Sequence, residues 1–294
     1  MNTKASVYKG IICIILSALS FAFMNAFVRL SGDLPTIQKC FFRNLMSLFI
    51  ALFIMLKNRQ PLKIQKKNLP YLFLRAACGT IGMICNFYAV DHLVLSDASI
   101  LNKMSPFFAI VFSFLLLKEK VSLPQALIVL GAFIGSLFVV KPSSDIFSSP
   151  ASLIGLIGGI GAGAAYTMVR KLSTNGENKS MIVLFFSAFS CIVTLIPTFF
   201  VFKPMSVFQL LALIGAGFGA AGGQFAITAA YYYAPAKEIS VYDYSQLIFS
   251  MILGFLMFSQ VSDFISIIGY IIIIAMAITM FIYSKNKKGP KTAL

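Results

Sequence analysis

The chain has 294 residues, of which 59% are hydrophobic and only 11% charged, with a mean hydropathy of +0.90. A soluble domain carries about 25% charged residues, so a water-exposed globule of this length is excluded for want of polar surface. The net charge of +15 would suit a nucleic-acid binder, but the positions of the basic residues, taken below, give it another meaning.

A spanning helix needs roughly 20 mostly apolar residues. Ten stretches qualify, near 8–30, 36–56, 70–90, 97–117, 123–140, 151–170, 180–202, 206–232, 237–258 and 263–283. The longest gap, near 57–69, is too short for a soluble domain. The first stretch follows Lys4 and Lys9 as a signal peptide would; its length and the nine stretches behind it predict a retained helix. Seventeen lysines and arginines fall on one side of a ten-span arrangement: Lys4, Lys9, Lys57, Arg59, Lys63, Lys66, Lys67, Lys118, Lys120, Arg170, Lys171, Lys179, Lys237, Lys285, Lys287, Lys288 and Lys291. Four, Arg29, Lys39, Lys141 and Lys203, fall on the other. The positive-inside rule then predicts cytoplasmic termini, in a plasma or inner membrane. The charge reports topology and attraction to anionic lipid; no element that reads a nucleic-acid groove is present.

Ionisable and amide groups inside the spans are the candidate site, because each is costly at membrane depth. Span 2 carries Arg43 and Asn44, with Arg43 either binding an anionic group or bracing spans 1 and 2. Span 3 carries Thr80 and Asn86, and Arg75 close enough to its end to snorkel to the cytoplasmic face. On span 4, steps of three and four put Ser99, Asn102, Lys103 and Pro106 on one face. Span 6 contributes Tyr166. Span 8 contributes Gln224, Thr228 and the run Tyr231, Tyr232 and Tyr233. Span 9 carries Tyr242, Asp243, Tyr244 and Gln246, with Glu238 nearer its end and expected in solvent. The tyrosines suit a lining that stacks on an aromatic group or holds a cation, or, at span ends, interface anchors.

The polar connection 141–150 divides the chain into residues 1–145 and 151–294, five spans each. Shifted by 140, the halves align without a gap over three spans: Gly79 meets Gly219, Gly82 meets Gly222, Ser105 meets Ser245, and Lys103 meets Asp243. A shift of 141 sets Val28 and Arg29 on Val169 and Arg170. Five is odd, so the second half must enter from the opposite face. The fold class expected is an all-α polytopic membrane protein of ten transmembrane helices in two inverted five-helix repeats, the arrangement of secondary transporters with a midplane site. Lys103 and Asp243 would neutralise each other, or hold the acid and amine of a ligand; a purely structural ion pair is the alternative. Asp243 is also the candidate for carrying a coupling proton, since low dielectric favours a neutral acid. Glycines four apart at Gly155, Gly159 and Gly163, at Gly215, Gly219 and Gly223, and at Gly131 and Gly135 predict close helix packing.

The five cysteines lie in apolar spans, and His92 is the single histidine. No metal-ligand spacing, P-loop or Gly-x-Ser-x-Gly occurs, so neither metal nor cofactor is expected and the chain reads as a carrier and not an enzyme.

Ten spans in two halves resemble the EamA family of the drug/metabolite transporter superfamily. The likeness rests on Leu95–Pro106 with its Ser-Pro pair, on Leu115–Ser122 with Glu119 and Lys120 at the end of the span, on Gly131 and Gly135, and on Arg43. The second half departs from it: Gln246 stands for the proline, and Ser259 and Gln260 for the Glu-basic pair. The resemblance implies a secondary carrier with its cavity between the halves. The substrate-binding set expected is Asn102, Lys103, Tyr242, Asp243, Gln246, Gln224, Thr228, Asn86, Tyr166 and Arg43. The expected job is transport of a small metabolite by a monomer, with a dimer left open. Amino acids or related zwitterions, exported, come first; organic cations are the alternative, and a membrane-embedded enzyme comes last.

Overall fold

The computed structural model describes residues 3–93, 95–142, 149–259 and 261–286. Lys287, Lys288, Lys291, Gln260 and the middle of the 141–150 connection lie outside them, as do the side chains of Lys4, Ser96 and Asp97. Ten helical stretches among the described residues are long and apolar enough to cross a membrane. Eight are continuous: α1 (Thr3–Leu30), α2 (Thr36–Lys57), α3 (Leu69–His92), α6 (Leu123–Val140), α7 (Pro150–Thr174), α8 (Lys179–Val201), α9 (Val207–Tyr233) and α12 (Phe264–Asn286).

The fourth and ninth spans depart from expectation. Each is broken near its candidate charge. The fourth is α4 (Leu95–Asn102), a turn at Lys103 and Met104, and α5 (Ser105–Leu117). The ninth is α10 (Ala236–Ile239), a 3-10 segment Ser240–Tyr244, and α11 (Ser245–Phe258). Pro106 explains the first break, because it has no N–H to offer the carbonyl of Asn102 and its ring crowds the preceding turn. Carbonyls freed inside a membrane need partners, and the break in the fourth span finds one on the ninth. The Tyr244 hydroxyl donates to the Lys103 carbonyl at 3.1 Å, and the Lys103 ammonium donates to the Asp243 carbonyl at 3.3 Å.

The strongest helix pairings all join the two halves: α1 with α9, α3 with α7, α6 with α12 and α2 with α8. Exchange the halves, and the first pair becomes the second while the other two map onto themselves. The same holds for α5 on α7 against α11 on α1. α5 and α11 even end alike, on left-handed residues Lys118 (φ 55°) and Ser259 (φ 53°). The glycine stripes serve this packing inside the chain. A Cβ on Gly82 would stand 2.9 Å from the Ala162 amide nitrogen, and one on Gly219 2.9 Å from that of Met24. The outward faces carry exposed Phe199, Phe200 and Phe264, the apolar coat a bilayer solvates.

The start of α1 and the end of α12, the face of the chain ends below, lie on one side, since Tyr8 packs against Phe281 at 5.7 Å between centroids, the rings tilted by 51°. On the other face Asp263 caps α12. Its carboxylate accepts a hydrogen bond from Lys141 and, at 3.1 Å, from the Ser266 amide. The Lys141 bond first, then those from Ser266, pull the carboxyl down to about 2. A depressed carboxyl contributes stability above its ordinary value near ~3.9, which is lost as pH falls through its folded value. The pair is exposed, so salt should screen it. Asp263→Asn keeps a capping oxygen and should cost less in melting temperature at neutral pH than Asp263→Ala. The gap between wild type and Asp263→Asn should close between about pH 5 and pH 2; a gap constant over that range would remove the pair as its cause.

Candidate functional site

A cavity of about 730 Å³ runs into the protein from the face opposite the chain ends. At its mouth stand Asn25 and Arg29, from the end of α1, both exposed, and Lys39 from the start of α2. The Arg29 guanidinium lies 4.6 Å from the centre of the Phe258 ring. Further in, the walls carry Arg43, Arg75, Asn86, Asn102, Lys103, Tyr166, Gln224, Asp243 and Gln246.

The two broken helices meet here. Lys103 and Asp243 are buried, 4% and 6% exposed, and the ammonium lies 3.2 Å from the Asp243 carboxylate. The same nitrogen donates to Gln246 Oε1 at 2.7 Å. Lys103 enters from one face and Asp243 from the other, so their contact ties the two halves together at depth. Removing one partner of such a buried pair costs about 3–5 kcal/mol.

Arg75 corrects the sequence reading. It does not snorkel: it is 2% exposed, donates from Nη2 to Gln224 Oε1 at 3.0 Å, and packs its guanidinium 4.2 Å from the centre of the Phe186 ring. The side chain folds back along α3 over Gly79, whose missing Cβ leaves the room. Arg43 is 6% exposed. Neither arginine has a carboxylate partner among the described residues, and Nε of each makes no hydrogen bond.

Eight of the ten expected residues therefore stand on this wall; Thr228 and Tyr242 do not. Thr228 is fully buried one turn beyond Gln224, and its hydroxyl has no partner. Tyr242 is turned off the wall because the 3-10 segment advances about 120° per residue, so Asp243 and Gln246 share a face that Tyr242 leaves; it packs in the apolar core, its hydroxyl also unpartnered. Glu238, expected in solvent, is buried. The tyrosine run splits: Tyr231 is buried and stacks on Tyr166 at 5.0 Å, while Lys179 donates to the Tyr233 hydroxyl at 2.6 Å. Asn25 and Arg75 were missed as wall residues. Asn25 is a lone amide in an apolar span, a signal that was there to use.

Towards the face of the chain ends the cavity is sealed. Arg170 donates from Nε to Glu119 at 3.1 Å and from Nη1 to the Tyr232 carbonyl at 3.3 Å. Ser173 donates to the same carbonyl at 2.7 Å, and Lys237 reaches the Lys120 carbonyl at 2.5 Å. The wall is strongly basic. Arg29, Lys39, Arg43, Arg75 and Lys103 face it, against a single carboxylate among the described residues, that of Asp243. Low-dielectric walls of one sign concentrate ions of the other.

Residues 8–141 match the EamA-like transporter family. Over 282 residues the chain is 30% identical to the pseudopaline exporter CntI of Pseudomonas aeruginosa, covering 95% of this chain and 97% of that one. It is 28% identical to a riboflavin transporter of Vibrio cholerae, covering 89% of each. It is 24% identical to human solute carrier family 35 member G1, over 90% of this chain and 77% of that one. A crystal structure with 12% sequence identity superposes at a TM-score of 0.83 over 95% of this chain and 99% of its own, which is a likeness of fold.

Proposed function

The chain belongs to the EamA family of the drug/metabolite transporter superfamily, whose members here are membrane transporters of small metabolites, and from that premise we propose that it exports a small zwitterionic metabolite by alternating access. Amino acids and their derivatives are the first substrates to try. The observation that carries the reading is a cavity open at one end, sealed at the other, and latched at depth by Lys103 and Asp243 from opposite halves. An acid group of the substrate competes for Lys103 and an amine for Asp243. Loading then replaces one ion pair by two, and the latch between the broken helices opens without leaving a bare charge.

The halves form an inverted repeat in this reading, and the termini are cytoplasmic, so the cavity faces outward. The packing supports moving units drawn from both halves, α1, α9 and α11 against α3, α5 and α7, with α2 and α8 packed on each other between them. Export accords with the relative named as an exporter. An organic cation is disfavoured by five basic groups around one carboxylate among the described residues. The cavity lies within one chain, so a monomer suffices. Asp243 becomes available to a coupling proton only while Lys103 is drawn off.

Counterflow in proteoliposomes tests the proposal. Exchange of a labelled amino acid or amino-acid derivative, abolished by Lys103→Ala, supports it. Absence of vectorial movement for every metabolite tried, with turnover of lipid instead, overturns it.

The sealed face gives a separate expectation. Arg170 bridges the end of α5 to the end of α9, across the two units. Arg170→Ala should therefore favour opening on the face of the chain ends by about 10-fold, the worth of a charge-assisted hydrogen bond. The readout is maleimide labelling of a cysteine placed at Ser240, fully buried in this state, in a chain lacking its native cysteines. Unchanged labelling would remove Arg170 from the gate.

A further inference from the structure

Two buried charges in the cavity are left over once Lys103 and Asp243 have been paired. Arg43 and Arg75 are each more than nine-tenths buried. Gln224 engages one edge of Arg75 and Phe186 covers its face, but a neutral amide and a ring supply no counter-charge. Arg43 makes no hydrogen bond or ion pair among the described residues. Both side chains line the cavity together with Tyr166, so they share one wall. Uncompensated buried charge is held at a high cost, and such a group in a span is a default functional site. Guanidinium is the side chain matched to carboxylate by its fork of donors.

We propose that the substrate carries two separate carboxylates, one for Arg43 and one for Arg75, and that a plain monocarboxylate amino acid is a poor substrate. The inference rests on the carrier reading and narrows its substrate class. The dicarboxylate neutralises the arginine pair, and the mouth cations Arg29 and Lys39 draw it in. A metabolite with an amine as well would use the Asp243 end of the same wall. A single carboxylate leaves one guanidinium bare in a site that solvent has left, so the selectivity lies in what remains unpaired.

The test compares glutarate with its half-amide, glutaramate, which has the same shape and one charge fewer. Binding is measured on the purified full chain by thermal shift and by competition. Wild type should bind glutarate at least about 10-fold more tightly than glutaramate, with the preference falling as salt rises. In Arg43→Gln and in Arg75→Gln that preference should collapse towards one. Arg75→Lys, which keeps the charge and loses the fork, guards against a variant that does not fold and should retain an intermediate preference. Equal binding of glutarate and glutaramate by wild type overturns the inference, as does a preference for glycerol 3-phosphate over glutarate. Counterflow separates the two readings. Transport of monocarboxylate amino acids with no glutarate preference sinks the dicarboxylate and leaves the carrier; charge-selective glutarate binding with no counterflow of any metabolite does the reverse.

Discussion

Lys103→Met is expected to lower the melting temperature sharply and to reduce transport at least about 100-fold. The methionine fills nearly the same space, so the loss is electrostatic. Asp243, 6% exposed, would be left without the ammonium 3.2 Å away. The Asp243 carbonyl would lose one of its donors too, and Gln246 Oε1 the ammonium that it accepts from. A buried charge stripped of its partner costs about 3–5 kcal/mol. Asp243→Asn should be milder in stability, because the ammonium keeps two neutral acceptors, yet equally poor in transport. The double variant Lys103→Met, Asp243→Asn removes both charges and should recover much of the melting temperature. It should not recover transport, since nothing is left for a substrate to displace. Thermal unfolding followed with a thiol-reactive dye suits a chain with five free cysteines, and counterflow reads the activity. A double variant no more stable than the worse single would show that the pair does not hold the broken helices. Normal transport by Lys103→Met would dispose of the latch.

That pair was legible before any coordinates, and the reason is the repeat. A shift of 140 residues superposes Lys103 on Asp243, and equivalent positions that lie close to the axis exchanging the halves touch each other, as these two do. Span positions were legible for the simpler reason that apolar length is a strong signal. The breaks were not. Pro106 marks one, but the ninth span has Gln246 in its place. Its 3-10 turn is maintained by bonds to the fourth span, Tyr244 to the Lys103 carbonyl among them, and no local residue announces a tertiary bond. The turn then decides which side chains face the cavity, so Tyr242 was misjudged by the rotation of a single residue. Arg75 failed differently. Its distance from the end of α3 fits snorkelling, and only Gln224 of α9, Phe186 of α8 and the gap over Gly79 reveal why it turns inward. The most basic part of the wall was hidden by a sound rule about span ends, and the dicarboxylate inference depends on having corrected it.

Gly82→Val should be the most damaging of the uncharged substitutions, for reasons confined to α3 and α7. A Cβ on Gly82 would stand 2.9 Å from the Ala162 amide nitrogen, 3.0 Å from the Gly158 carbonyl oxygen and 3.2 Å from the Gly161 carbonyl carbon. All three are backbone and cannot rotate away. The contact is mutual, since a Cβ on Gly158 would meet the Asn86 amide nitrogen at 3.0 Å and one on Gly161 the Cys78 carbonyl at 2.8 Å. Two turns of each helix are therefore in backbone contact, the geometry small residues permit in membranes. Overpacking such a seam costs about 1–3 kcal/mol per small intrusion, and valine adds three carbons. A fall of at least about 5 °C in melting temperature is expected. Gly222, the equivalent position on α9, provides the control. Its Cβ would meet only the Ser20 side chain, the hydroxyl at 3.1 Å, which can turn, so Gly222→Ala should leave the melting temperature within about 2 °C. The seam also sets the site, because α3 carries Arg75 and Asn86 while α7 carries Tyr166. Prising these helices apart moves one wall of the cavity from the other, so Gly82→Ala, the variant with the best chance of folding, should weaken glutarate binding more than it lowers the melting temperature. Were Gly82→Val as stable as wild type, α3 and α7 could not be this close, and Arg75 would lose the fixed position that gives it a role.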